Sequence, residues 1–192
     1  MKKYPVVLDL ETKHSFREFE RARDLGVTVV GVYDYATQQK TAFLEKDLNK
    51  LFLLLENASY TIGFNNRSFD MQVLQAYYPG DITSFAVFDL CDDVKKILGR
   101  RLSLNDLASV TLGKKKTGHG LQALELYKEG RWDELIRYCL DDVLLTRDLF
   151  DFGVQHGYIS YLSEVGRERI DVDWKKYLES PDLKDMPLTL PF

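Results

Sequence analysis

The stretch Pro5–Thr12 constrains the fold of this chain more than any other part of it. Its apolar run Val6–Leu8 is typical of a central strand, buried on both faces of a sheet. Asp9 and Glu11 then follow two residues apart, and the two-residue period of a strand directs both carboxylates to one face. Two neighbouring negative charges at the end of a buried strand repel each other and are costly to desolvate without a cation or a proton.

A divalent cation would compensate both costs. Asp9 and Glu11 are therefore candidates for half of a site in which carboxylate oxygens bind Mg²⁺ or Mn²⁺. The alternative is a strand end that faces solvent and happens to carry two charges. The metal interpretation requires further ligands later in the chain.

Composition indicates a globular chain with a sizeable core. The chain has 192 residues, of which 45% are hydrophobic and 12% aromatic. We expect a cytoplasmic protein with no membrane association, because no apolar run reaches the roughly 18–20 residues of a membrane span and no signal-peptide pattern is visible. Cys91 and Cys139 match no zinc-binding spacing, so we expect reduced thiols in the core.

The net charge of −4 argues against a protein that holds nucleic acid mainly by bulk electrostatics. This net charge is compatible with an enzyme that binds a few phosphates through metal ions and a local basic patch. Two such patches are present, Lys95–Arg101 and Lys114–Lys116. Each could equally be a solvated helix end or loop.

Hydrophobic periodicity predicts three strands first and strand-helix units afterwards. We expect strands at 5–12, 26–35, 41–44, 59–64 and 84–90, and helices at 47–57, about 69–79, 92–98, 103–112 and 132–153. This order indicates an α/β fold with a mixed sheet, three antiparallel strands followed by parallel ones, and helices on both faces. The domain is predicted to span 1–166, and the charged, proline-punctuated segment 167–192 to form an irregular tail.

Two later segments supply further carboxylates. Asp70 begins a helix after the fourth predicted strand, where it either satisfies free backbone N–H groups or reaches the site as a third ligand. In the last long helix, Tyr138 and Asp142 lie one turn apart at the edge of the apolar stripe. Asp141 points about 100° away and should be more exposed, although an exchange of roles between the two aspartates stays open.

These three segments, in this order, resemble the three motifs of the DnaQ-like 3′→5′ exonucleases of the ribonuclease H-like superfamily. The motifs are Asp9–Thr12 on a strand, Gly63–Asp70 at a strand-helix junction and Tyr138–Asp142 on a late helix. A tyrosine four residues before the last aspartate is the form of the DEDDy subgroup; the DEDDh subgroup has a histidine where this chain has Arg137. The residue pattern of these motifs is most similar to that of family B DNA polymerase proofreading domains and their stand-alone relatives. The resemblance covers about residues 4–155.

The resemblance implies a ribonuclease H-like fold in which Asp9, Glu11, Asp70 and Asp142 bind two Mg²⁺ or Mn²⁺ ions. It implies that Asp9 bridges the ions and that Glu11 and Asp142 serve the ion with the attacking water. Asp70 would then reach the other ion largely through waters. Tyr138 would orient the attacking water, since a phenol with a pKa of about 10 is a poor general base at neutral pH.

The resemblance also implies substrate contacts. Leu10 and Thr12 would line the terminal nucleotide, and Asn65 and Phe69 would contact the penultimate one. Phe69 could equally be a core residue. Lys114–Lys116 would touch the substrate backbone.

The expected function is metal-dependent hydrolysis of phosphodiester bonds in single-stranded DNA or RNA from the 3′ end. Such a nuclease would act alone or with a helicase or polymerase. Two alternatives stay open. One is a ribonuclease H-like endonuclease, which would not need Tyr138, and the other is a non-catalytic nucleic-acid-binding module of the same fold.

Overall fold

The computed structural model describes residues 2–115, 118 and 121–178, which form seven strands and six α-helices. The strands are β1 (Val6–Thr12), β2 (Val27–Asp34), β3 (Gln39–Leu44), β4 (Thr61–Gly63), β5 (Val87–Asp89), β6 (Tyr158–Ser163) and β7 (Gly166–Asp171). The helices are α1 (Leu48–Asn57), α2 (Asp70–Leu74), α3 (Leu90–Leu98), α4 (Leu104–Leu112), α5 (Gln122–Lys128) and α6 (Trp132–His156). None of the helices in these ranges is long and apolar enough to cross a membrane.

The first five strands form one sheet in the order β3-β2-β1-β4-β5. Strand β2 pairs antiparallel with β1 and β3, whereas β4 is parallel to β1 and β5 is parallel to β4. Strand β1 is thus central, and its C-terminal end lies where the parallel half of the sheet meets the antiparallel half. The predicted α/β fold with a mixed sheet is confirmed.

Strand β1 is buried on both faces, as its apolar run predicts. Leu8 and Leu10 pack in a core cluster with α1 and α2, while Val7 packs in a second cluster with residues of α6. Because side chains alternate along a strand, Asp9 and Glu11 share the α6 face with Val7. The position of β1 therefore directs both carboxylates toward the longest helix.

The strands that follow are shorter than the sequence predicts. Strand β4 covers Thr61–Gly63 instead of 59–64, and Asn65 after it adopts a positive φ of 64° that extended backbone does not allow. Strand β5 begins at Val87 because Ile82–Ser84 forms a 3₁₀ turn whose N-terminus is capped by the Asp81 side chain. Helix α5 was not predicted.

The predicted irregular tail is corrected over its first part. Residues 166–171 form β7, which pairs antiparallel with β6. Ile170 and Trp174 are buried in the same core cluster as Val7, and Trp174 Nε1 donates a hydrogen bond to Asp93 Oδ2 at 2.7 Å. Ile170 is the one buried residue of β7 and stands among charged residues, so the sequence shows no strand pattern there. Residues 179–192 of the predicted tail lie outside the described residues.

Candidate active site

Three carboxylates meet where β1 passes α6. Asp9, Glu11 and Asp142, which we call the carboxylate cluster, each offer an oxygen, and these oxygens all lie within 4.8 Å of one another. Asp142 is buried at 2% exposure, whereas Asp141 is partly exposed. The structure therefore assigns the inward position to Asp142 and resolves the alternative that the sequence left open.

Gly31 allows α6 to come this close to the sheet. It pairs with Asp9 in the antiparallel register of β1 and β2. A Cβ at Gly31 would lie 2.8 Å from Val143 Cγ2 and 3.1 Å from Cys139 Sγ, which is too close for any L side chain. The absent side chain thus sets the distance between the sheet and the helix that carries Asp142.

Cys139 connects the same two elements directly. Its thiol donates a hydrogen bond to the carbonyl oxygen of Asp9 at 3.4 Å. Burial raises the pKa of this thiol well above its usual value, and the negative charges of Asp9 and Glu11 raise it further, so that it stays a protonated donor. Cys91 and Cys139 are both free and buried, as predicted.

Asp70 reaches the site from the other neighbour of β1. It begins α2, is 3% exposed, and its Oδ1 accepts a hydrogen bond from the backbone N–H of Leu10 at 3.0 Å. Leu10 stands between Asp9 and Glu11, so this bond brings a fourth carboxylate beside the carboxylate cluster.

Leu10 itself contributes its backbone to the site. The side chain is 4% exposed and packs in the core with α1 and α2, on the face of the sheet opposite the carboxylate cluster. The predicted contact of Leu10 with the terminal nucleotide stays a prediction, and the burial of the side chain leaves only the backbone of Leu10 to make it. The alternation of side chains that brings Asp9 and Glu11 together necessarily turns Leu10 away from them.

Tyr138 lies next to the carboxylate cluster on the preceding turn of α6 and is 6% exposed. Burial raises the pKa of its hydroxyl, and the negative charges of the three clustered carboxylates raise it further. A phenol in this environment keeps its proton at neutral pH. Tyr138 can therefore position a molecule by hydrogen bonding but cannot serve as a general base.

Asp89 fixes the loop that carries Asn65, a role that cannot be read from its place at the end of a predicted strand. Its Oδ1 accepts from the N–H of Asn65 at 2.8 Å and its Oδ2 from the N–H of Arg67 at 3.0 Å. It also accepts from the N–H of Cys91 and of Asp92 as the N-terminal cap of α3. Burial raises the pKa of Asp89, and the N–H groups of Arg67 and Asn65 oppose this rise.

Two predicted substrate residues line one cavity beside Glu11. The cavity has a volume of about 220 Å³, and its walls include Thr12, Phe69 and Phe16. Phe16 is 56% exposed, and its ring centroid lies 5.8 Å from that of Phe69. Phe69 also packs partly against the core. Its contact with the penultimate nucleotide stays a prediction.

A second cavity of about 440 Å³ adjoins Asp142, and Lys114 and Lys115 line it. Lys114 Nζ lies 2.6 Å from Asp148 Oδ2, and Arg147 pairs with Oδ1 of the same carboxylate. The basic segment predicted from the sequence thus borders the site at these two lysines. Lys116 lies outside the described residues.

The donor set fits hard divalent cations. Carboxylate oxygens are the ligands that Mg²⁺ and Mn²⁺ prefer, and the oxygens of the carboxylate cluster are close enough to share one ion. Asp70 is bonded to the backbone between two members of the cluster, and its binding of an ion there stays a prediction.

Comparison with known proteins supports the fold assignment. A family model described as the RNase_H superfamily matches residues 6–153. A search of curated protein sequences finds no match. The matched range contains all four carboxylates and Tyr138.

Solved structures with this fold include two kinds of protein. The family B DNA polymerase of the hyperthermophilic archaeon Pyrobaculum calidifontis matches with a TM-score of 0.61 and 16% identity, over 80% of this chain and 25% of the polymerase. RNase D of Trypanosoma brucei matches with a TM-score of 0.57 and 16% identity, over 78% of this chain and 57% of RNase D. The same RNase D in complex with RNA U12 matches with a TM-score of 0.56, 15% identity, and 78% and 55% coverage.

The chain thus spans a quarter of the polymerase and a little over half of RNase D. At such identities the likeness concerns the fold. The family match confirms the expected ribonuclease H-like superfamily, and the two kinds of neighbour are consistent with the resemblance to DnaQ-like exonucleases.

Proposed function

Because the chain belongs to the RNase_H superfamily, we propose that it is a metal-dependent 3′→5′ exonuclease that hydrolyses single-stranded DNA or RNA. One observation carries this proposal. The oxygens of Asp9, Glu11 and Asp142 lie within 4.8 Å of one another, at the end of a central strand whose backbone also holds Asp70. Tyr138 lies beside them.

In this proposal Asp9, Glu11, Asp70 and Asp142 hold two Mg²⁺ or Mn²⁺ ions. When bound, such ions activate a water for attack on phosphorus and stabilise the charge on the leaving 3′-oxygen. The Leu10 N–H orients the Asp70 carboxylate, and the Cys139 thiol holds the backbone carbonyl of Asp9 against α6. The chain thereby fixes the ligands before any ion or substrate arrives.

Tyr138 supplies a hydroxyl that keeps its proton. Its role in the proposal is to hold the attacking water in line with the scissile bond, and it takes no proton from that water. The support is the position of its ring beside the three carboxylates, one turn before Asp142 on α6. A ribonuclease H-like endonuclease would have no such requirement.

The cavity between Thr12 and Phe69 accommodates the 3′-terminal part of the strand. It opens beside Glu11 and combines a polar wall with two aromatic rings, a combination suited to a sugar and a stacked base. Recognition through stacking and the backbone predicts little dependence on base sequence. A cytoplasmic location and a helicase or polymerase partner are further parts of the proposal. The experiment below addresses the choice between DNA and RNA.

The test uses the purified chain with 5′-labelled single-stranded DNA and RNA oligonucleotides, in Mn²⁺, Mg²⁺ or EDTA. The expected result is a ladder that shortens from the 3′ end with metal and not with EDTA, and that also identifies the preferred sugar. Asp9→Ala serves as the inactive control. Wild-type turnover in this variant would refute the assignment of the site.

Two other outcomes point to the alternatives. Internal cuts at early times would identify an endonuclease. Binding of the oligonucleotides without cleavage under any metal condition would identify a non-catalytic module.

A further inference from the structure

Two exposed arginines, Arg67 and Arg101, both pair with Asp92 next to the outermost strand β5. Arg67 Nε lies 3.8 Å from Asp92 Oδ2, and Arg101 Nη2 lies 4.0 Å from Asp92 Oδ1. The side chains of Arg67 and Arg101 are 58% and 50% exposed. Two exposed guanidinium groups thus flank the Asp92 carboxylate, on a chain whose net charge is −4.

This arginine pair lies on the same edge of the sheet as the carboxylate cluster. Strands β1, β4 and β5 are parallel neighbours, so their C-terminal ends share one edge. Glu11 lies in the last part of β1, Asn65 and Arg67 lie in the loop after β4, and Asp92 lies in the first turn of the helix after β5. Adjacent strands are about 4.8 Å apart, so β5 lies about 10 Å from β1, a distance that a short extended strand of nucleic acid covers.

Arg67 is held in place rather than free to move with a loose loop. Its backbone N–H donates to Asp89 Oδ2 at 3.0 Å, and its Nη2 donates to the carbonyl of Val87 at 2.6 Å. A guanidinium has five N–H donors in a fixed fork, so a bond to one carbonyl leaves others directed outward. The group is therefore oriented toward the solvent side of the sheet edge.

From these positions we propose that Arg67 and Arg101 bind the phosphodiester backbone of the substrate strand next to the scissile phosphate. This inference rests on the proposed function for the identity of the polyanion. The strand would run from the cavity at Thr12 and Phe69 across Asn65 to the arginine pair. Contacts to phosphates fix the register of a strand without reading its bases.

Binding measurements test the proposal without relying on hydrolysis. Fluorescence anisotropy of labelled single strands of about 12 nucleotides, DNA and RNA, would be measured in EDTA over a range of salt concentrations. The variants are Arg67→Ala, Arg101→Ala and the double variant, with Arg67→Lys to retain the charge. Arg167→Ala, an exposed arginine on β7, is the matched control.

Each lost phosphate contact should make the slope of log affinity against log salt shallower by about 0.7, and the double variant by about 1.4. Affinity should fall roughly two- to five-fold for each alanine. Arg67→Lys should keep most of the slope, and Arg167→Ala all of it. An unchanged slope in the double variant, an equal change in Arg167→Ala, or no measurable binding by the wild-type chain would each overturn the proposal.

Measurements of hydrolysis distinguish the proposed arginine contacts from the proposed exonuclease activity. The p-nitrophenyl esters of thymidine 5′-phosphate and uridine 5′-phosphate are too short to reach the arginine pair. The double variant of Arg67 and Arg101 should have a higher KM for oligonucleotides and should hydrolyse these esters at the wild-type rate. An equal loss on the esters would mean that the arginines only support the loop, which would overturn the inference. A wild-type chain that hydrolyses neither kind of substrate would refute the proposed function, while the salt slopes would still decide the arginine contacts.

Discussion

Gly31 lies opposite Asp9 in the pairing of β2 with β1, and the same glycine is the point where α6 meets the sheet. A Cβ there would come within 2.8 Å of Val143 and 3.1 Å of Cys139. One missing side chain therefore controls how near Asp142 comes to its partners on β1.

We expect Gly31→Ala to push α6 away from the sheet. Overpacking of this kind costs about 1–3 kcal/mol in the free energy of unfolding. Activity should fall by a larger factor than stability alone explains, because the separation between Asp142 and Asp9 grows. Denaturant unfolding and metal-dependent hydrolysis measure the two effects. Gly99→Ala, with nothing within 4 Å of its added Cβ, controls for glycine replacement, although its positive φ of 73° adds strain.

Asp142→Asn should abolish hydrolysis while leaving the fold as stable as the wild type, or more stable, without divalent metal. The reason is that the substitution removes one of three mutually repelling charges. Thermal unfolding with and without Mg²⁺ or Mn²⁺ should show a midpoint that rises with metal in the wild type and rises less in the variant, because an ion bound only by the folded state stabilises it.

Asp141→Asn is the matched control for this experiment, since it changes the adjacent, partly exposed aspartate. It should retain most activity and the metal response of the midpoint. If Asp141→Asn rather than Asp142→Asn lost both, the assignment of ligands on α6 would be wrong.

Tyr138→Phe should lower kcat by up to about 100-fold, the cost of a misplaced reacting group, which is less than the loss of a carboxylate ligand produces. The ring would still fill its buried position, so stability should change little. Tyr127→Phe, on α5 in the same apolar cluster, tests whether any lost hydroxyl in this region has such an effect. Wild-type kcat in Tyr138→Phe would remove the water-positioning role from the proposal.

Asp89→Asn should destabilise the protein by about 1–3 kcal/mol, because an amide NH₂ would face buried N–H groups that now donate to a carboxylate oxygen. Since Asp89 holds Asn65 in a positive φ, KM for oligonucleotides should rise more than kcat falls. Asp81→Asn, at the exposed cap of a 3₁₀ turn, provides the comparison. Equal kinetic effects in the two variants would argue against a specific role for Asp89.

The parts of the site that were predictable depend on short-range periodicity. The two-residue period placed Asp9 and Glu11 on one face, and the helical period placed Tyr138 near Asp142. The same strand rule, applied to Leu10, turns its side chain into the core, and only the structure shows that its backbone serves Asp70. That contact joins residues 60 positions apart and has no local signal.

Other features escaped prediction for similar reasons. A glycine such as Gly31 looks like any other within a β-branched run, and its importance depends on a helix more than a hundred positions later in the chain. In the sequence, Asp89 is one of several aspartates at a predicted strand end. Its role depends on a hydrogen bond from Asn65, in the loop after the neighbouring strand, which has no local signal. Strand β7 alternates Arg167, Glu168 and Arg169 before its one deeply buried residue, Ile170, so its inward face is too short to dominate the pattern.

The hydrogen bond from Cys139 to the carbonyl of Asp9 spans 130 positions of the chain. A ribosome must therefore synthesise the whole stretch from Asp9 to Asp142 before the last ligand can dock against the first. Until then the nascent chain holds only part of the carboxylate set. In the proposed nuclease, hydrolysis would switch on with the arrival of α6, and catalytic turnover would report completed tertiary assembly rather than the mere presence of folded strands.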